Sequence, residues 1–159
     1  MFREILSGIA FAFWIFRMKL DSQNSEGQTV GGAMQCFFYA TTRREENSAK
    51  FNGVLSFSIP DMGIVFRAQY KGTPEECEYA SLLALLEFIE LNPHLFEKRH
   101  IEIYGDSFMV IHQVNMKLVC KKDLEPFRNM ALGYRKKIDY TLGWIPKNEN
   151  LAYNQVSAR

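Results

Sequence analysis

The sequence predicts an α/β domain with a mixed central sheet, opened by a three-strand meander and flanked by helices. Three observations carry this. Between residues 34 and 70, three apolar runs follow one another, the last two joined by a tight turn. From residue 74 the apolar residues recur at helical spacing instead of alternating. The chain has 159 residues, 47 % hydrophobic and 23 % charged, enough for one domain with a real core and ordinary for a globular protein.

Residues 1–34 read as an N-terminal extension and linker, and residues 35–159 as the domain proper. The apolar run Ile5 to Phe16 is broken by Ser7 and Gly8 and soon followed by Arg17 and Lys19. It is too short to span a bilayer, and it lacks the basic start and cleavage site of a signal peptide. It reads as a strand or helix packed on the domain, or as a segment inherited from a larger polyprotein. Residues 21–32 are polar and turn-rich, a linker or loop.

Met34 to Thr41 forms the first, central strand, Gly53 to Ile59 the second and Ile64 to Tyr70 the third. Pro60-Asp61-Met62-Gly63 turns the chain between the last two, with proline where φ is preset and glycine where φ can be positive. Arg43 to Ser48 is a solvated loop of mixed charge. Thr73, Pro74 and Glu76 stand at N-cap, N1 and N3 of a capping box, and the helix runs to about Leu91, before Asn92-Pro93. Glu78, Leu82, Leu85 and Ile89 share one face of it, an acid at the head of an apolar stripe.

Ile101 and Ile103 alternate with Glu102 in a buried strand that ends at a tight turn on Gly105. Asp106 follows, and Ser107 caps the next helix. An acid at the end of a central strand lies where α/β sheets bind ligands. The plainer alternatives are that Asp106 only caps a helix and that Glu78 only favours the dipole of its helix. Leu124, Phe127, Ala131, Tyr134 and Ile138 make the buried face of a further helix. Tyr140, Leu142 and Trp144 then alternate as a last strand, which places Trp144 in the core. A short helix from Asn148 or Asn150 ends the chain.

A net charge of +1 carries no global signature of nucleic-acid binding. The basic residues are concentrated locally. Between Asn115 and Lys147 stand Lys117, Lys121, Lys122, Arg128, Arg135, Lys136, Lys137 and Lys147, against Asp123, Glu125 and Asp139. A surplus of five positive charges suits salt-sensitive, sequence-independent phosphate contacts, although Arg135-Lys136-Lys137 alone reads as a solvated helix end. Cys36, Cys77 and Cys120 are far apart and form no metal-ligand pair, so they read as free thiols in an intracellular compartment, cytoplasmic or nuclear. His100 and His112 read as surface or core residues without a partner acid.

Four motifs in order, Glu76-Cys77-Glu78-Tyr79-Ala80, Tyr104-Gly105-Asp106-Ser107, Leu124-Glu125-Pro126-Phe127 and Gly143 to Asn150, resemble the type 1 ribonuclease H domain. The likeness is greatest to the form carried by plant retroelements and their reverse transcriptases, and covers roughly residues 35 to 159. It implies the ribonuclease H-like fold. It further implies a nucleic-acid-binding domain related to enzymes that cleave RNA in RNA–DNA hybrids. In that family four carboxylates hold two Mg2+ (or Mn2+) ions, one activating water and the other stabilising the leaving oxygen.

The resemblance assigns two of the four acids, and so two catalytic and metal-binding residues, to Glu78 and Asp106. Ala40, in Phe38-Tyr39-Ala40-Thr41-Thr42, falls on the first acid, and Asn154 on the fourth. Alanine offers no ligand, and asparagine keeps an oxygen but no charge. A rival placement sets Asp21 at the first position, at the expense of a long connection before the second strand. The implied hydrolase is therefore impaired or inactive. Its nucleic-acid contacts would fall on Ser107, Gln113, Asn115, Lys117, Lys121, Lys122 and Lys147, with Gln113 and Asn115 reaching 2′-hydroxyls in a minor groove. The implied partners are an RNA–DNA hybrid or other nucleic acid, and other domains of a retroelement polyprotein, with no membrane. A non-catalytic connection module of a retroelement-derived protein is the second reading.

Overall fold

The computed structural model describes residues 32–49 and 51–157. The N-terminal extension, apart from its last residues, lies outside the described residues, and Asp21 with it. The described chain runs β1 (Met34–Arg44), β2 (Phe51–Ile59), β3 (Ile64–Lys71), α1 (Pro74–Leu91), α2 (Pro93–Phe96), β4 (Ile101–Gly105), α3 (Phe108–Val114), α4 (Glu125–Tyr134), β5 (Tyr140–Trp144) and α5 (Leu151–Ser157). Short 3-10 turns occupy Pro60–Met62, Lys122–Leu124 and Lys147–Glu149. Among the described residues no helix is long and apolar enough to cross a membrane.

The sheet has the order β3-β2-β1-β4-β5. β1, β2 and β3 form the antiparallel meander, while β4 and β5 run parallel to β1 and to each other. The tight turn between β2 and β3 places Gly63 at φ 63, where a side chain would be strained. The long connection from β3 carries α1 across a face of the sheet and returns at β4, next to β1. β1 runs three residues further than its apolar pattern suggests, because Arg43 and Arg44 continue the pairing with Asn52 and Phe51.

Alternation along β1 divides its side chains between the two faces. Ala40 packs with Leu55, Cys77 and Ala80 under α1. Phe37 and Tyr39 pack on the opposite face with Ala152 of α5. The capping box starts α1 as expected: the Thr73 hydroxyl accepts from Glu76 N at 3.2 Å, and Thr73 N donates to Glu76 Oε2 at 3.1 Å. Leu82, Leu85 and Leu86 of α1 are fully buried, each contributing roughly 1.5–3 kcal/mol. α4 packs against α1, with Tyr79 and Phe127 in ring contact. The expected buried face of α4 is present at Leu124, Phe127, Ala131 and Ile138, although the helix itself ends at Tyr134.

The expectations for His100 and Trp144 need correction. His100 does have a partner acid, since its Nδ1 lies 2.9 Å from Asp139 Oδ2. Trp144 is not a core residue: it is 48 % exposed. It pairs with Gly105, the last residue of β4, so it stands at the rim of an edge strand where alternation no longer implies burial. The three cysteines are free and buried, and burial pushes the Cys36 thiol up to about 12.

Candidate functional site

A small crevice opens where β1 and β4 run side by side towards their carboxyl ends, the location that α/β sheets use for ligands. Phe38, Tyr39, Ala40, Glu78, Ser81, Asp106 and Ser107 line it. Three elements thus converge, and each brings its residue for a local reason. β1 presents Ala40 on the face covered by α1. The first turns of α1 present Glu78, half-buried. β4 delivers Asp106 immediately after its last residue, Gly105.

Gly105 ends β4 at the expected turn without a positive φ, which among the described glycines is found at Gly63 alone. Its role is close approach. A Cβ on Gly105 would sit 2.5 Å from the Phe38 ring, so only glycine lets β1 and β4 meet here without displacing that ring.

Both carboxylates are hydrogen-bonded by neighbouring side chains. Ser107 donates to Glu78 Oε2 at 2.7 Å and accepts from Val110 N at 3.3 Å, so it caps α3 and bridges to α1. Asn150 donates from Nδ2 to Asp106 Oδ1 at 2.6 Å and to the Phe38 carbonyl at 2.9 Å. Its Oδ1 accepts from Ala152 N at 3.1 Å, so the fully buried Asn150 caps α5 while tying it to β1 and to Asp106. Burial pushes the Glu78 carboxyl above the usual carboxylate range; the Ser107 hydroxyl opposes this, and the negative charges of Asp106 and Glu75 add to it.

The donor set does not fit a two-metal centre, which needs several carboxylate ligands. Ala40, which the sequence resemblance sets at the first acid position, lines the crevice and has no side-chain oxygen. Asn154 is exposed on α5 and is not among the lining residues. One oxygen of Asp106 already faces the amide donor of Asn150. Among the described residues no group of three or more His, Cys, Asp or Glu is placed to hold a metal ion.

The residues expected to contact nucleic acid separate into two groups. Lys117, Lys121, Lys122 and Lys147 are exposed. Lys121 lies 3.9 Å from Glu75, and the Lys147 ammonium sits 4.7 Å from the Tyr153 ring centroid and 5.6 Å from that of Tyr39. Gln113 and Asn115 are engaged by neighbouring residues. Gln113 is 2 % exposed, accepting from Tyr79 Oη at 2.6 Å and donating to Val119 O at 3.3 Å. Asn115 donates to Leu142 O at 3.1 Å and accepts from Arg135 at 2.9 Å. Both amides hold the end of α3 against its neighbours. Ser107 is buried at the crevice wall.

Sequence reasoning missed the roles of two residues, Asn150 and Trp144. An asparagine directly before a helix signals a cap, but nothing local signals that its amide reaches Asp106, 44 residues away. The Trp144 indole donates from Nε1 to the Asp106 carbonyl at 3.2 Å, so an exposed ring stands on the crevice rim.

No protein-family profile matches the chain, and no curated protein does. Solved structures do. The ribonuclease H1 of the halophilic archaeon Halobacterium salinarum is 23 % identical over 78 % of this chain and 93 % of its own, with a TM-score of 0.59. LC11-RNase H1, isolated from compost by a metagenomic approach, is 14 % identical over 78 % of this chain and 91 % of its own, at 0.62. A foamy viral protease-reverse transcriptase, solved in complex with an RNA/DNA hybrid, matches 83 % of this chain over 21 % of its own length, at 13 % identity and 0.55. At these identities the likeness concerns architecture: the described chain has the ribonuclease H-like fold.

Proposed function

We propose that this chain is a nucleic-acid-binding domain of the ribonuclease H-like fold whose nuclease chemistry is impaired or absent. The observation that supports this best is the make-up of the crevice. Glu78 and Asp106 face it, but Ala40 stands where a further carboxylate would be needed, and Asn150 holds Asp106 with a hydrogen-bond donor. A crevice of this kind binds two Mg2+ or Mn2+ ions poorly, while the surrounding surface keeps its positive charge. Lys117, Lys121 and Lys122 are all exposed on the connection between α3 and α4. Cations there neutralise phosphates and release counterions whatever the sequence.

A second reading has its own support. Met116, Leu118 and Val119, on the same connection, are exposed at 65 %, 43 % and 89 %. Clustered apolar side chains of this kind suit a protein contact, as in a connection module docked on another domain of a retroelement-derived protein.

Binding of a labelled RNA–DNA hybrid in EDTA, followed across a salt series, separates the readings. The nucleic-acid reading expects metal-independent affinity that falls steeply with salt and drops roughly threefold to tenfold in Lys117→Ala/Lys121→Ala/Lys122→Ala. Folded protein without measurable affinity at low salt, for the hybrid or for a single-stranded oligomer, would favour the protein-docking reading.

A further inference from the structure

Trp144 and Phe108 are the two large aromatic side chains among the described residues that remain substantially exposed, at 48 % and 57 %, and both neighbour Asp106. Trp144 pairs with Gly105 across the β4–β5 ladder and fixes its indole nitrogen on the Asp106 carbonyl at 3.2 Å. Phe108 opens α3 two residues beyond Asp106, and its ring stacks on His112 at 3.8 Å between centroids. An indole held by its nitrogen edge loses little freedom when a second ring lies on its face. Three residues further along the chain, the exposed Lys147 is held over the Tyr153 and Tyr39 rings. The rim therefore offers an oriented aromatic surface and a cation on one short segment.

We propose that Trp144 is a stacking platform for an unpaired nucleobase, with Lys147 contacting the adjoining phosphate, so that the domain takes a single-stranded nucleic acid at the crevice rim. The inference rests on the nucleic-acid reading above and names the substrate form that this site selects. Bases inside a duplex already stack on one another, so an exposed indole meets a free base face only on an unpaired strand. Stacking is tolerant of sequence because every base has such a face.

The test compares wild type, Trp144→Leu and Trp144→Phe for affinity to a labelled oligothymidylate, to an abasic oligomer of the same length and to an RNA–DNA hybrid. Circular dichroism verifies that each variant is folded. The expected result is an approximately tenfold loss of oligothymidylate affinity in Trp144→Leu and a loss of no more than about threefold in Trp144→Phe, which keeps a ring. The abasic oligomer should bind all three proteins alike. Hybrid binding with oligothymidylate affinity unchanged in Trp144→Leu overturns the stacking platform and leaves the nucleic-acid reading standing. Absence of binding to all three probes by folded wild type overturns both.

Discussion

Glu78 shows how a single side chain records the condition of the site. Its carboxyl is half-buried and faces Asp106, and among the described residues the neighbour that favours its charge is the Ser107 hydroxyl at 2.7 Å. Burial, helped by the Asp106 and Glu75 charges, leaves its pKa raised. A raised carboxyl pKa means that the folded state holds a proton at pH values where the unfolded chain has released it, so stability falls as pH rises through that window. The penalty is absent below the unfolded value of about 4.3 and complete above the folded one. Glu78→Gln keeps an acceptor for Ser107 and removes the charge. Thermal unfolding should therefore show the variant more stable than wild type at neutral pH, with the difference vanishing in acid. A variant less stable than wild type at neutral pH would mean that the charge is compensated, as it would be by a resident cation. Asp106 and Asn150 follow the same logic of local partnering. The pair was not legible because its members are far apart in sequence and meet only when β4 and α5 are both in place.

Elements were more legible than contacts. The capping box, the β2–β3 turn and the apolar stripe of α1 follow from local chemistry, and the structure repeats them within a few residues. What local chemistry could not supply was the side to which each ambiguous residue turns. Alternation placed Trp144 inside, but β5 is an edge strand and its last residue passes the core. Gln113 read as a groove contact, but the short α3 turns it inward, to Tyr79. The junction of β1 and β4 gives a test at this scale. Because Phe38 lies over Gly105, Gly105→Ala should destabilise the domain by about 1–3 kcal/mol, as other overpacked sites do. Phe38→Leu in the same chain should recover part of the loss, since residues in contact couple non-additively. Urea denaturation of the two single variants and the double variant measures this. Strict additivity would show that Phe38 is not what excludes a side chain at position 105.

For the described chain as a whole, the arrangement of strands and helices is the ribonuclease H-like fold, while the crevice that we propose as its site is lined by two carboxylates, Glu78 and Asp106. The sheet order, the crossover through α1 and the crevice at the ends of β1 and β4 all persist without a metal cluster among the described residues. Fold and chemistry are separable because the core is built from apolar faces, to which the site acids contribute little. The motifs around Glu78 and Asp106 made the fold readable from sequence, and the alanine at position 40 is the residue on which the proposal of a weakened site rests. The most direct measurement is cleavage of a labelled RNA–DNA hybrid in Mg2+ or Mn2+ by wild type, with Asp106→Asn as the control for contaminating nuclease. The account predicts no cleavage beyond the control, and tighter Mg2+ binding once Ala40→Asp adds a third carboxylate to the crevice. Cleavage by wild type that disappears in Asp106→Asn would contradict it, and would mean that a further ligand completes the site.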